Sequence, residues 1–217
     1  MAQSFLTPTA IAEQRILLHH ISWQTFQQLL NEAGADRHAR FAYYQGTLEI
    51  MSPLFRHENI NRFLDELVRV MTDEMGLDMR KAGSITLTRA GLQSGAEPDS
   101  SYYIQSEPLV RGKQDIDLEA GDPPPDLVIE IDISGSSLDK RRIYANLNVP
   151  ELWRFNGATL QFFVLQTPEG YLRQSDRSPT FPYFSPDKAM AVLEQRLVLG
   201  ESQALRQFRL WVREQCQ

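Results

Sequence analysis

The chain has 217 residues, 42% of them hydrophobic, with a formal net charge of -6. That is enough apolar material for a substantial core in one moderate domain, and too much negative charge for a protein that coats nucleic acid by neutralising phosphates, although a local basic groove is compatible with it. The single cysteine, Cys216, excludes an intrachain disulfide and a thiolate metal cluster and reads as a reducing, cytoplasmic compartment. The opening "MAQSFLTPTAIAEQRILLHH" has no basic segment leading into an apolar one, and no stretch approaches the roughly 20 apolar residues of a membrane span, so neither export nor membrane insertion is expected.

The N-terminus reads as loose up to Ser22, which can cap a helix over "WQTFQQLLNEAG": Trp23, Phe26, Leu29 and Leu30 recur at helical spacing and Gly34 is a stop. A hairpin follows in "RFAYYQGTLEIM", turning at Gln45-Gly46. From Asn59 to Met75 the apolar residues Ile60, Phe63, Leu64, Leu67, Val68 and Met71 share one helical face, and Gly76 ends the helix. Short strands are expected in "LDMRKAG", "SITLTR" and "PDSSYYI", separated by Gly and Pro.

Beyond them, "PPPDLVIEIDISGSSLDKRRIYANLNVPELW" begins at Pro123. In an extended chain Asp126, Val128, Glu130 and Asp132 project to one side and Leu127, Ile129, Ile131 and Ile133 to the other. A helix is expected from Ser137 to about Asn148, then a second hairpin in "ELWRFNGATLQFFVLQ" at Asn156-Gly157, and two terminal helices after the Ser185-Pro186 cap. The sequence therefore predicts one α+β domain over 1–217, with a core from about 20 to 170 and a helical extension from about 185 to 217.

Three carboxylates on one face of a half-buried strand need compensation, and a divalent cation supplies it; the alternative is the ordinary solvated side of an edge strand. Asp99 opens another short strand directly after Pro98, and Lys140 stands in the first turn of the helix that follows Glu130. Two acids and a lysine form a chemically complete set: the acids hold Mg²⁺ or Mn²⁺ against a phosphate, and the ammonium orients water and offsets developing charge.

The blocks "GTLEIMSP" from Gly46, "RHE" from Arg56, "EPD" ending at Asp99, "PDLVIEI" from Pro125, and Asp139-Lys140 leading through Tyr144 to "VPELW" resemble, in order from about 20 to 170, the Uma family of bacterial proteins classed with restriction endonucleases. The resemblance implies the PD-(D/E)XK restriction-endonuclease-like fold, a mixed central β-sheet flanked by helices. It sets Asp99 at the PD aspartate and Glu130 at the acid of (D/E)XK. Asp132 stands where that motif has lysine, so Lys140 is the substitute, as in members of this fold whose lysine has moved to the next helix.

On the same resemblance Asp126 joins the metal shell or merely ends the preceding turn. His57 contacts phosphate or moves a proton, and Glu58 reaches the metal or only complements a helix dipole. Glu49 faces the core or lies exposed on its hairpin. His19-His20 read as surface, the Asp139 to Arg142 run as a phosphate contact or solvated face, and Tyr43-Tyr44 and the pair Trp153 and Phe155 as packing.

The expectation is a metal-dependent endonuclease with Mg²⁺ or Mn²⁺ on Asp99, Glu130 and the Ile131 carbonyl. Its partner is nucleic acid, DNA in the first instance, and it acts as a homodimer, given the apolar C-terminal helices. The competing expectation is a nuclease-derived binding or assembly module that no longer cuts.

Overall fold

The computed structural model describes residues 14–34, 37–136, 138–167 and 169–216. Strands β1 (Gln14–Leu18), β2 (Arg40–Tyr44), β3 (Thr47–Ser52), β5 (Leu87–Arg89) and β6 (Ser94–Ala96) form one antiparallel sheet. Strands β4 (Arg80–Lys81), β7 (Ser100–Tyr103), β8 (Leu127–Ile131), β9 (Glu151–Phe155), β10 (Leu160–Gln166) and β11 (Tyr171–Ser175) form the other. The first has the order β1-β3-β2-β6-β5 and the second β11-β10-β9-β8-β7-β4. Among the described strands only β8 and β9 run parallel, joined by a crossover that carries α4 (Lys140–Asn146), so the second sheet is mixed. The remaining helices are α1 (Trp23–Ala33), α2 (Phe55–Met75), α3 (Glu107–Val110), α5 (Pro186–Leu199) and α6 (Glu201–Gln215).

Alternation along β8 builds two cores. Leu127, Ile129 and Ile131 pack with Phe63, Leu64 and Leu67 of α2 and with Phe208 and Val212 of α6, beside Trp153 stacked on Phe162 at 4.5 Å. Val128, from the other face, joins Ile143 and Tyr144 of α4 and reaches Ala42 and Ala96 of the first sheet. Helix α4 therefore lies between the sheets, and the acidic side of β8 faces it. This removes the solvated-edge alternative, because β8 is flanked by β7 and β9 and Glu130 is 1% exposed.

Several expectations change. The segment before Ser22, expected to be loose, includes β1, which pairs along β3 from Gln14 opposite Ser52 to Leu18 opposite Leu48; residues 1–13 lie outside the described residues. Helix α2 begins at Phe55, four residues ahead of the expected Asn59, because the Leu54 carbonyl already accepts the Glu58 N–H at 3.0 Å. Helix α4 is shorter at both ends than 137–148. Asp139 is its N-cap, accepting the Arg141 N–H at 3.2 Å, and Asn148 leaves the helix at φ 59.

The strands in "LDMRKAG" and "SITLTR" shrink to β4 and β5, while β6, β11 and α3 carry no strong periodic signal in so few residues. The first hairpin turns as expected, with Gln45 at φ 42 and Gly46 at φ 88. The two terminal helices form with Ser185 capping the first.

Candidate active site

The antiparallel pairing of Ser100 with Ile129 continues to set Asp99 beside Glu130. Asp99 Oδ2 accepts the Ile131 N–H at 2.8 Å, so this carboxylate sits on the edge of β8 itself. Two α2 residues one helical turn apart lock it from the opposite side. His57 Nε2 lies 2.9 Å from Asp99 Oδ1, and Asn61 donates from Nδ2 to the Asp99 carbonyl at 3.1 Å while its Oδ1 accepts from Ser100 Oγ at 3.0 Å.

Helix α4 supplies the facing half by the same spacing. Lys140 Nζ donates to Glu130 Oε2 at 2.5 Å, and the Tyr144 hydroxyl donates to Glu130 Oε1. Lys140 is 8% exposed, and Asp99, Glu130 and Tyr144 are still more deeply covered. The place of an in-strand lysine is filled differently: Asp132 accepts from Arg15 Nη2 at 3.1 Å and from Arg154 Nε at 3.2 Å. Arg15 also donates to Glu49 Oε1 at 2.8 Å, and Ser136 Oγ reaches both oxygens of Glu49. Glu49 thus faces the core, the first of its two expected readings.

Burial pushes the Glu130 carboxyl up to about 7, with Lys140 and Tyr144 only partly offsetting it and the Asp99 charge adding to the rise. Burial acts on Asp99 in the same sense, but His57, Lys140 and the Ile131 N–H outweigh it and hold Asp99 below its ordinary value. Burial works against the Lys140 ammonium, and Glu130 and Asp99 reverse this and raise it. The Tyr144 hydroxyl is pushed well above its ordinary value, first by burial and then by Glu130, so it stays a donor. Two adjacent acids are thereby driven apart, one firmly ionised and one poised near neutrality.

Of the expected site residues, the structure brings together Asp99, Glu130, Lys140 and His57, with the Ile131 backbone bonded to Asp99. Asp126 stands apart: its carboxylate accepts the Ile104 and Ser106 N–H groups at 2.6 and 2.9 Å and Ser106 Oγ at 2.8 Å, so it ends the turn before β8. Glu58 points along the outside of α2 toward Arg62 at 3.5 Å, as a first-turn acid does. Sequence reasoning missed four residues. Tyr144 and Asn61 were visible as polar groups one helical turn from Lys140 and His57; Arg15 and Arg154 gave no sequence signal, because only tertiary contact joins them to Asp132.

As a donor set, Asp99 and Glu130 offer two adjacent carboxylates, and among the described residues no group of three His, Cys, Asp or Glu side chains is arranged to hold a metal. Among the described residues Glu49 and Asp132 pair with Arg15, Asp132 also with Arg154 and Glu130 with Lys140, while Asp99 meets His57. Asp99, Glu130 and the Ile131 carbonyl are hard oxygen donors of the type a divalent ion takes.

The mixed sheet flanked by helices, with Asp99 and the strand residue Glu130 meeting at adjacent strands, has the restriction-endonuclease-like fold. The chain is similar to a solved structure from Anabaena variabilis ATCC 29413, described as a putative nuclease belonging to DUF820, with a TM-score of 0.51 and 17% identity over 79% of this chain and 98% of that one. No curated protein matches the chain. A family model, Uma2, described as "Putative restriction endonuclease", matches residues 23–196, and the chain belongs to that family.

Proposed function

We propose that the protein is a metal-dependent endonuclease hydrolysing phosphodiester bonds of nucleic acid, with DNA as the first substrate to test. The observation that carries this reading is the meeting of Lys140 with Glu130 beside Asp99, in a chain of the Uma2 family. Asp99, Glu130 and the Ile131 carbonyl would hold Mg²⁺ or Mn²⁺, which when bound supplies Lewis-acid stabilisation of a phosphate oxygen and an acidified water. His57 and Asn61 fix Asp99; Tyr144 and Lys140 orient Glu130, and the Lys140 ammonium offsets negative charge developing on phosphate. A homodimer accompanies this reading, since cutting both strands of a duplex takes two sites, and exposed Leu197, Val198 and Leu210 offer apolar surface for it. The lone Cys216 is consistent with a cytoplasmic setting.

One observation favours the second reading, a module that binds or assembles without cutting. All four carboxylate oxygens of the two acids already face a protein partner: Lys140 and Tyr144 on Glu130, His57 and the Ile131 N–H on Asp99.

Purified protein incubated with plasmid and linear DNA in Mg²⁺ or Mn²⁺ should cleave, and Asp99→Ala and Glu130→Ala should abolish cleavage. Equal cleavage by both variants would show a contaminant. Calorimetry with Mn²⁺ separates the readings further, because a module with a closed site gives no heat that depends on Glu130.

A further inference from the structure

On the solvent side of Lys140 lies a recess of about 310 Å³ lined by Asp132, Ser136, Leu138, Asp139, Lys140, Arg141 and Arg154. We propose that this recess binds a phosphodiester of the nucleic-acid backbone, with the Arg154 guanidinium as its principal contact. This deepens the nuclease reading and rests on it.

The division of labour around Asp132 supports the assignment. Two guanidinium groups share that one carboxylate, but unequally: the Arg15 side chain is 12% exposed and spreads over Glu49, Asp132 and Ser134, whereas that of Arg154 is 30% exposed and opens on the recess. Asp132 is buried and accepts from both guanidiniums, so Arg154 is not its sole partner. Arg154 uses Nε and Nη2 on Asp132, and its Nη1 donates to no group among the described residues. A guanidinium anchored by one edge and open at the other is preorganised for an oxyanion, because its plane is set before the ligand arrives.

The other walls agree. Lys140 joins the recess to Glu130, and Arg141 borders it with its guanidinium 5.6 Å from the Phe163 ring centroid. Three cations, Lys140, Arg141 and Arg154, line the recess with two acids, Asp132 and Asp139, and each cation is itself paired, Lys140 with Glu130, Arg141 with Asp139 and Arg154 with Asp132. The open edge of Arg154 is therefore the cationic surface that the recess offers beside Asp99 and Glu130. A backbone phosphate held here lies next to that centre, and the contact carries no base information, so the recess sets the position of the strand and not its sequence.

The test is fluorescence anisotropy with a labelled DNA duplex, the matching single strand and an RNA strand, with Ca²⁺ replacing Mg²⁺ so that binding is read without turnover. Arg154→Gln should weaken binding about tenfold, the scale of one charged hydrogen-bonded contact, and lower the slope of log affinity against log salt by about one. Arg154→Lys should keep the wild-type slope, and Arg69→Gln, on the outer face of α2, should change neither quantity.

Wild-type affinity and slope in Arg154→Gln overturn the recess assignment while leaving the nuclease reading intact. So does a loss of salt slope that persists in Arg154→Lys, because the charge at this position is then not what the backbone meets. A wild-type protein that binds none of the three nucleic acids overturns the nuclease reading, and the inference falls with it. Binding of a labelled mononucleotide as tight as that of the strands overturns the backbone assignment alone.

Discussion

Glu130 is the residue on which stability and chemistry pull against each other. Its folded carboxyl keeps a proton up to about 7, whereas its ordinary value is 4.5. Below the ordinary value both folded and unfolded chains are protonated at this position; between the two values the unfolded chain releases the proton first, so the stability Glu130 contributes falls as pH rises and is fully lost above about 7. At roughly 1.4 kcal/mol per tenfold change in proton affinity, the loss is about 3 kcal/mol. Glu130→Gln lacks this dependence and should gain on wild type by that order between those limits, measured as urea-unfolding free energy at a series of pH values. Parallel curves for the two proteins would sink the claim. Asp99, held low, acts in the opposite direction and in a separate, more acidic range.

At the scale of elements, the site is built from two helices, each contributing a pair of residues one turn apart, and from two strands whose pairing sets Asp99 beside Glu130. Helix α2 offers His57 and Asn61, α4 offers Lys140 and Tyr144, and β7 and β8 meet so that Asp99 lies against Ile131. The unexpected contributor is β1, which lies before the family-matched residues 23–196 and sends Arg15 across to Glu49, Asp132 and Ser134. Glu49 and Asp132 are each 2% exposed, so removing their shared cation leaves buried charge behind. Arg15→Met should destabilise the fold by about 3 kcal/mol, the scale of breaking a buried ion pair, as read by denaturant titration. A change below about 0.5 kcal/mol, the level of an ordinary surface substitution, would show that β1 is peripheral to the site.

For the whole molecule, the C-terminal helices turn out to serve the chain's own core. Ala204, Phe208 and Val212 of α6 are buried with α2, and Arg209 and Arg213 pair with Glu74. The apolar periodicity that suggested self-association is thus spent internally, and a dimer has to use the remaining exposed apolar residues, such as Leu197 and Val198. Light scattering at micromolar protein should give twice the monomer mass, and Leu197→Glu with Val198→Glu should return it to one. A monomer mass for the wild type across that range removes the homodimer. Among the described residues no helix is long and apolar enough to cross a membrane.

What the sequence determined by itself was whatever is encoded locally. The helices from Ser22, before Met75 and after Ser185 show in apolar spacing and caps, the first hairpin in Gln45-Gly46, and the acid, acid and lysine order in the family blocks. Periodicity also separated the greasy face of β8 from the acidic one, because side chains alternate whatever lies beyond the strand.

Only the tertiary structure decided which acids work together. Asp126 and Glu130 share a strand face, yet one closes a turn on Ser106 and the other meets Lys140, since each answers to the element packed against it. It also decided that Arg15 and Arg154 close on Asp132 from β1 and β9, a contact across more than a hundred residues on one side that no local pattern records. Burial is a property of the assembled layers, and burial is what turns these carboxylates from surface charges into a candidate active site.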